Sequence, residues 1–150
     1  MRFSGTVEIK APRDRVWAFV DDPHQVASCA PGVESVEVHP DGTVTAHAKV
    51  AIGPIGFRFD AAGEYTARVE GEHASVRGRA KAPGTAVDGT AQMRLTDIED
   101  GTRMDWEADV QFSGTIANLG ARLIQGTANR LIAQGFACVK SKLEAESPAS

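Results

Sequence analysis

From Val33 to Phe112 the chain alternates apolar and polar residues with a period of two, broken only by short turns, and from Thr115 it changes to a helical period. That change of period constrains the fold more than any other feature. Strands joined by turns of a few residues pair as antiparallel neighbours. A sheet with one apolar and one charged face needs a cover on its apolar side. The terminal segment is the part of the chain able to supply it.

The inward positions follow from the alternation. One strand places Val44, Ala46, Ala48, Val50 and Ile52 on a common face, after the turn Pro40-Asp41-Gly42. The next carries Phe57, Phe59, Ala61, Tyr65, Ala67 and Val69, and the one after it Ala74, Val76, Gly78, Ala80 and Ala82. Two further strands supply Val87, Gly89, Ala91, Met93 and Leu95, then Met104, Trp106, Ala108, Val110 and Phe112. Ahead of them, residues 3–10 alternate as another strand. Pro12 opens a short helix over Arg13 to Val20, and Asp22 with Pro23 caps a second that ends before Pro31-Gly32. In the last segment Ile116, Leu119, Leu123, Thr127, Leu131, Phe136, Val139 and Leu143 fall at helical spacing, with Ser113 as N-cap. A helix of about 28 residues spans roughly 42 Å.

The expected fold is therefore α+β: a curved antiparallel sheet of about seven strands wrapped around a long C-terminal helix, with two short helices after strand one. This helix-grip arrangement encloses a pocket between sheet and helix. Residues 1–145 form one domain, and residues 146–150, polar and containing Pro148, are expected to be a disordered tail. The composition agrees with a single globular domain: 150 residues, 42% hydrophobic, 24% charged, net charge −4. The chain has no basic stripe suited to nucleic acid. No apolar run approaches the roughly 18–20 residues that cross a bilayer, and Met1 leads straight into a strand without a leader. Cys29 and Cys138 are too few for a disulfide framework and are expected to be ordinary reduced cysteines.

The size of the inward residues bears on function. Many alanines fall on the inner face, and protein interiors pack densely. Small residues either let the helix lie close against the sheet or leave a pocket for a flat apolar ligand, floored by Phe57, Phe59, Met93, Met104 and Trp106. The expected ligand-binding set is Ala48, Val50, Phe57, Phe59, Val76, Ala80, Ala91, Met93, Met104, Trp106, Ala108, Val110, Leu123, Thr127 and Leu131. Nearly every inward strand position is apolar, so no acid, base or nucleophile is nominated and no catalytic residue is assigned. Asp105, Glu107 and Asp109 share the outer, solvated face. His24, His39, His47 and His73 lack metal-ligand spacing, so no metal site is assigned. Asn118, Gln125, Asn129 and Gln134 are read as solvent-facing or capping residues of the helix. No nucleophile elbow, phosphate loop or dinucleotide fingerprint is present.

Cys29-Ala30-Pro31-Gly32-Val33-Glu34-Ser35-Val36, Gly53-Pro54-Ile55-Gly56-Phe57-Arg58-Phe59, Val110-Gln111-Phe112-Ser113-Gly114-Thr115-Ile116 and Gly120-Ala121-Arg122-Leu123-Ile124 together resemble the family of carbon monoxide dehydrogenase G subunits. The likeness extends to about Ala145. That family belongs to the START-like (SRPBCC) helix-grip superfamily. The resemblance implies a non-catalytic accessory protein that binds a quinone such as menaquinone and has no covalently bound cofactor. It implies a partner, a molybdenum-containing carbon monoxide dehydrogenase or related hydroxylase, and a cytoplasmic location with peripheral contact at the inner face of the membrane. Many members continue through a Pro-rich linker into a membrane-anchoring tail; this sequence stops at Ser150, so firm attachment by this stretch alone is not expected. Two other readings fit the same fold: an enzyme of the polyketide cyclase or aromatase type, and a docking scaffold acting through the loops at Pro31-Gly32, Gly53-Pro54 and Pro83-Gly84.

Overall fold

In chain order, β1 (Arg2–Ile9) leads into α1 (Arg13–Val20) and α2 (Pro23–Cys29). A meander follows: β2 (Val33–Val38), β3 (Val44–Ile52), β4 (Ile55–Val69), β5 (His73–Ala82), β6 (Thr85–Ile98) and β7 (Gly101–Gly114). A 3-10 turn at Thr115–Leu119 precedes α3 (Ala121–Glu146). These elements come from a computed structural model that describes residues 1–146. The seven strands form one sheet in the order β1-β7-β6-β5-β4-β3-β2, every pair antiparallel. The expected helix-grip architecture is present. The last residues of the expected tail, 147–150, lie outside the described residues.

Local chemistry explains the element boundaries. The Asp22 carboxylate accepts from the His24 backbone N–H at 3.0 Å, with Pro23 at the first helical position, which starts α2 as the sequence implies. Thr102, fully buried, donates its hydroxyl to Ala11 O at 2.8 Å and ties the end of β1 to β7. The transition into the final helix differs from expectation. Ser113 stays in β7, where its hydroxyl donates to Ala86 O, and caps nothing. Gly114 turns the corner at φ +81°, and a Cβ there would lie 2.0 Å from Gly84 O, so no other residue fits. Gly120, at φ +94°, then separates the 3-10 turn from α3. The restart rotates the helix: Ile124 is buried, while Leu123 lies outward over the Gly53 turn.

The strand pattern needs one correction. A bulge between Tyr65 and Ala67 inserts an extra residue into β4. Beyond it Arg68, not Ala67 or Val69, pairs with buried Ala74, so Arg68 turns to the concave face and the two apolar residues turn outward. Sequence parity contains the reason. The β4–β5 turn pairs Val69 with His73, odd with odd, whereas inward positions are odd on β4 and even on β5. One residue must bulge to reconcile the two.

The core divides in two. One cluster, at the α1–α2 end, gathers Ile9, Val16, Trp17, Phe19, Leu95, Met104, Val139 and Leu143. The other, at the opposite end, gathers Ile52, Phe57, Phe59 and Ile116. The backbone of α3 makes its close approaches to the sheet at β1 and β3, on either side of the central strands, and it also contacts α1 and α2.

The cysteines are a second correction. Cys29 at the end of α2 and Cys138 in α3 form a disulfide, with Cα atoms 5.4 Å apart. Beside it Cys29 O lies 3.6 Å from where a Cβ on Gly135 would sit, and Lys142 donates to Ser28 Oγ at 2.8 Å. No pattern of spacing marks two cysteines 109 residues apart as partners; only the fold juxtaposes them. Closing so long a loop restricts the unfolded chain, and reduction or Cys138→Ser is expected to cost about 2–5 kcal/mol. Denaturation midpoints with and without reductant check this; coincident midpoints would show that the bond contributes nothing to stability.

Candidate functional site

The strand registers align the concave residues into transverse rows. Ala61, Ala80, Val87 and Phe112 form one row. The next is Val44, Gly63, Gly78, Gly89 and Val110, with glycine on three adjacent strands. The third is Tyr65, Val76, Ala91, Ala108 and Phe3, and the fourth Arg68, Ala74, Met93, Trp106 and Gly5. Between the two core clusters the floor is therefore made of hydrogens and methyl groups.

This strip is not filled from above. A Cβ on Gly78 would meet only Ala62 O, at 3.5 Å, and one on Gly63 only backbone atoms of Arg77 and Gly78. No atom of α3 comes within 4 Å of either position. Val76 keeps 38% and Tyr65 41% of their surface exposed, high for inward-facing apolar groups in the middle of a sheet. At Gly63 and Gly78 the small residues do not bring α3 into contact with the sheet, which favours the second reading of them, an open trough between sheet and helix.

The expected binding residues divide by position. Val76, Ala91, Ala108 and Val110 line the trough, with Ala80 on its flank. Phe57 and Phe59, whose rings stack 5.7 Å apart, belong to one end wall with Val50, and Ala48 pairs with Phe59. Met104 and Met93 belong to the opposite wall, so the floor expected from these four residues is two walls instead. Trp106 lies over Gly5 and against Phe136, ring centroids 5.5 Å apart. On α3, Thr127 is buried and Leu131 half-buried, whereas Leu123 sits at the rim.

Sequence reasoning missed a polar cluster at the α1 end of the trough. Asp21, which ends α1, accepts from Arg68 Nε at 3.0 Å and Nη2 at 2.5 Å, and from the Tyr65 hydroxyl at 2.6 Å. The guanidinium also lies 5.3 Å over the Trp17 ring. Hydrogen bonding to Arg68 holds the Asp21 carboxyl below the usual carboxylate range, against the opposing effect of its partial burial. Burial, with the bond to Asp21, pushes the Tyr65 phenol up to about 12. Across the α1–α2 surface from this cluster runs an open groove of about 710 Å³ lined by Trp17, Asp21, Asp22, His24, Val38 and Glu70.

The outer face is charged and paired. Arg2 meets Glu107 at 3.3 Å, Thr6 donates to Asp105 at 2.7 Å, and Arg79 meets Asp88 at 2.6 Å. Depressions over the glycine row on that side are lined by such pairs. His47 bonds Asp60 on the exposed surface, and half-buried His39 bonds Thr45 and lies 3.9 Å from the Glu37 carboxylate. Asn118, Gln125, Asn129 and Gln134 are exposed.

The family model of the carbon monoxide dehydrogenase G subunit (CoxG) matches residues 5–144. The chain belongs to the CoxG family. Membership makes it one of the accessory G subunits, and its helix-grip fold is START-like. No curated protein sequence matches the chain. Among solved structures, a conserved protein from Geobacillus kaustophilus superposes with a TM-score of 0.90 at 23% identity, covering 97% of this chain and 96% of that one. The Zhui aromatase/cyclase from Streptomyces sp. R1128 gives 0.74 at 16% identity, covering 99% and 96%. A START superfamily protein from Mycobacterium smegmatis gives 0.68 at 13%, covering 96% and 97%. At these identities the structural likeness concerns the fold. No helix among the described residues is long and apolar enough to cross a membrane.

Tyr65 is the sole tyrosine of the chain, so phenolate absorbance reports it alone. Its titration is expected to centre near 12, and Asp21→Asn, which removes the neighbouring anion, is expected to move it toward the ordinary value. On the acid side, a depressed carboxyl stabilises the fold above its unfolded value of about 4 and loses that contribution as pH falls through the folded one. Acid unfolding of Asp21→Asn should therefore be shallower than that of the parent. A phenol titrating at its ordinary value would show that the cluster does not form in solution.

Proposed function

We propose that this CoxG-family chain is a carrier that holds a hydrophobic ligand, a quinone such as menaquinone, in the trough between the sheet and α3. It presents that ligand to a molybdenum-containing carbon monoxide dehydrogenase or related hydroxylase at the inner face of the cytoplasmic membrane. The observation that carries this reading is the open strip over Gly63 and Gly78 between two packed clusters. Burying a methylene contributes about 0.8 kcal/mol. About ten such groups reach the roughly 8 kcal/mol of micromolar affinity before binding costs are counted, and an isoprenoid chain supplies more. Family membership supports the partner, and an apolar cargo supports a role at the membrane.

The cyclase reading has one observation in its favour, ionisable groups on the concave face beside the trough. General acid–base work calls for a group titrating near the working pH. Asp21 is held as an anion by Arg68 and Tyr65 is kept protonated up to about 12. Neither is poised to exchange a proton near neutrality, which favours the carrier.

Gly78 has an ordinary strand φ and room above it, so Gly78→Leu is expected to keep or slightly raise stability while occupying the trough. Organic extraction of the purified protein followed by mass spectrometry is expected to find quinone with the parent and at least tenfold less with the variant. Equal recovery from a folded variant would refute the trough as the binding place.

A further inference from the structure

The polar cluster at the α1 end of the trough has more donors than acceptors. Asp21 supplies the acceptors, and Arg68 Nε, Arg68 Nη2 and the Tyr65 hydroxyl use them. Among the described residues Arg68 Nη1 has no partner, and the indole N–H of Trp17, a residue only 5% exposed, has no acceptor either. The indole donor is buried, and a buried donor without an acceptor is uncommon; the Arg68 side chain is 38% exposed, so its Nη1 is accessible to a molecule entering the trough. Arg68 stands in the fourth transverse row and Tyr65 in the third, beside Val76 and Ala91, so the cluster borders the apolar strip directly.

We infer that Arg68, oriented by Asp21 and Tyr65, is a specificity-determining residue that donates a hydrogen bond to a neutral carbonyl oxygen on the head of an otherwise apolar ligand. The inference rests on the trough being the ligand site, and it adds where the head lies and which head is selected. The bidentate Asp21 contact fixes the guanidinium plane, so the remaining donor is held in place without a further ordering cost. The same pairing decides between a neutral and an anionic head. Arg68 and Asp21 already cancel, so a ligand carboxylate would add an unbalanced negative charge beside the Asp21 anion, while a ketone or quinone oxygen adds none. The bulge at Thr66 is what turns Arg68 inward, so this backbone irregularity creates the polar end of an otherwise apolar trough.

The test uses three probes of similar shape: menadione, which carries carbonyl oxygens; methylnaphthalene, its oxygen-free analogue; and naphthoate, an anion. Binding is read by quenching of the tryptophans or by calorimetry. The parent is expected to bind menadione about tenfold more tightly than either of the other two, as a hydrogen bond from a charged donor allows. Arg68→Met is expected to reduce that preference to near unity while leaving methylnaphthalene binding unchanged. Should the single variant lose its fold through the unpaired Asp21, the double variant Asp21→Asn/Arg68→Met removes both charges and serves the same comparison. A preference for menadione that survives either folded variant, or a stronger preference for naphthoate, would overturn the role of Arg68 while leaving the trough intact. Failure of the parent to bind any of the three would sink the trough reading and this inference with it.

Discussion

Helix α3 is suspended: both ends are fixed to packed cores, and that constraint is what keeps the middle of the sheet open. At one end Val139 and Leu143 sit in the larger cluster, with the Cys29–Cys138 bond and the close approach at Gly135 tying α3 to α2. At the other, the 3-10 turn that leads into α3 is anchored by Ile116, buried in the smaller cluster, whose backbone N–H donates to the Thr85 hydroxyl at 3.2 Å. A helix free to move would sink toward the glycines, since dense packing is favoured and voids are costly. Held at both ends, it bridges them.

The fold was legible in the sequence wherever periodicity was clean. Alternation from Val33 to Phe112 and the Asp22-Pro23 cap located the strands and α2 because burial on one face and a single side-chain bond suffice to set them. What was not legible depended on long-range geometry. Alternate apolar residues Tyr65, Ala67 and Val69 look like one face until the pairing with β5 is known. Leu123 and Ile124 are equally apolar, and only the break at Gly120 decides which one is buried. The cysteine pairing and the Asp21–Arg68 contact join residues far apart in the chain, for which a single sequence holds no local signal. Of the candidate site, the Ala and Gly lining was readable from residue size; its polar end was hidden by one extra residue.

Charge is distributed to match this architecture. On the outer face carboxylates meet arginines or hydroxyls in solvent, where such pairs contribute little to stability but keep the sheet's wet side soluble. On the inner face Asp21 and Arg68 form an ion pair, at 25% and 38% side-chain exposure. That pair is neutral as a unit, so the trough beside it keeps its apolar character while retaining a directed donor.

A fold shared with an aromatase/cyclase does not settle chemistry, because function resides in the site and not in the scaffold. General acid–base work in such a cup calls for a polar group along its wall that titrates near neutrality. Here the ionisable cluster bordering the cup is arranged so that each member stabilises the charge state of the others: the carboxyl is held anionic, the phenol is held protonated, and the guanidinium is held by the same carboxylate that accepts from the phenol. Mutual bonding of this kind makes proton release or uptake costly at every member. What remains to the cluster at ordinary pH is hydrogen-bond donation, which both orients and polarises a carbonyl oxygen placed against it.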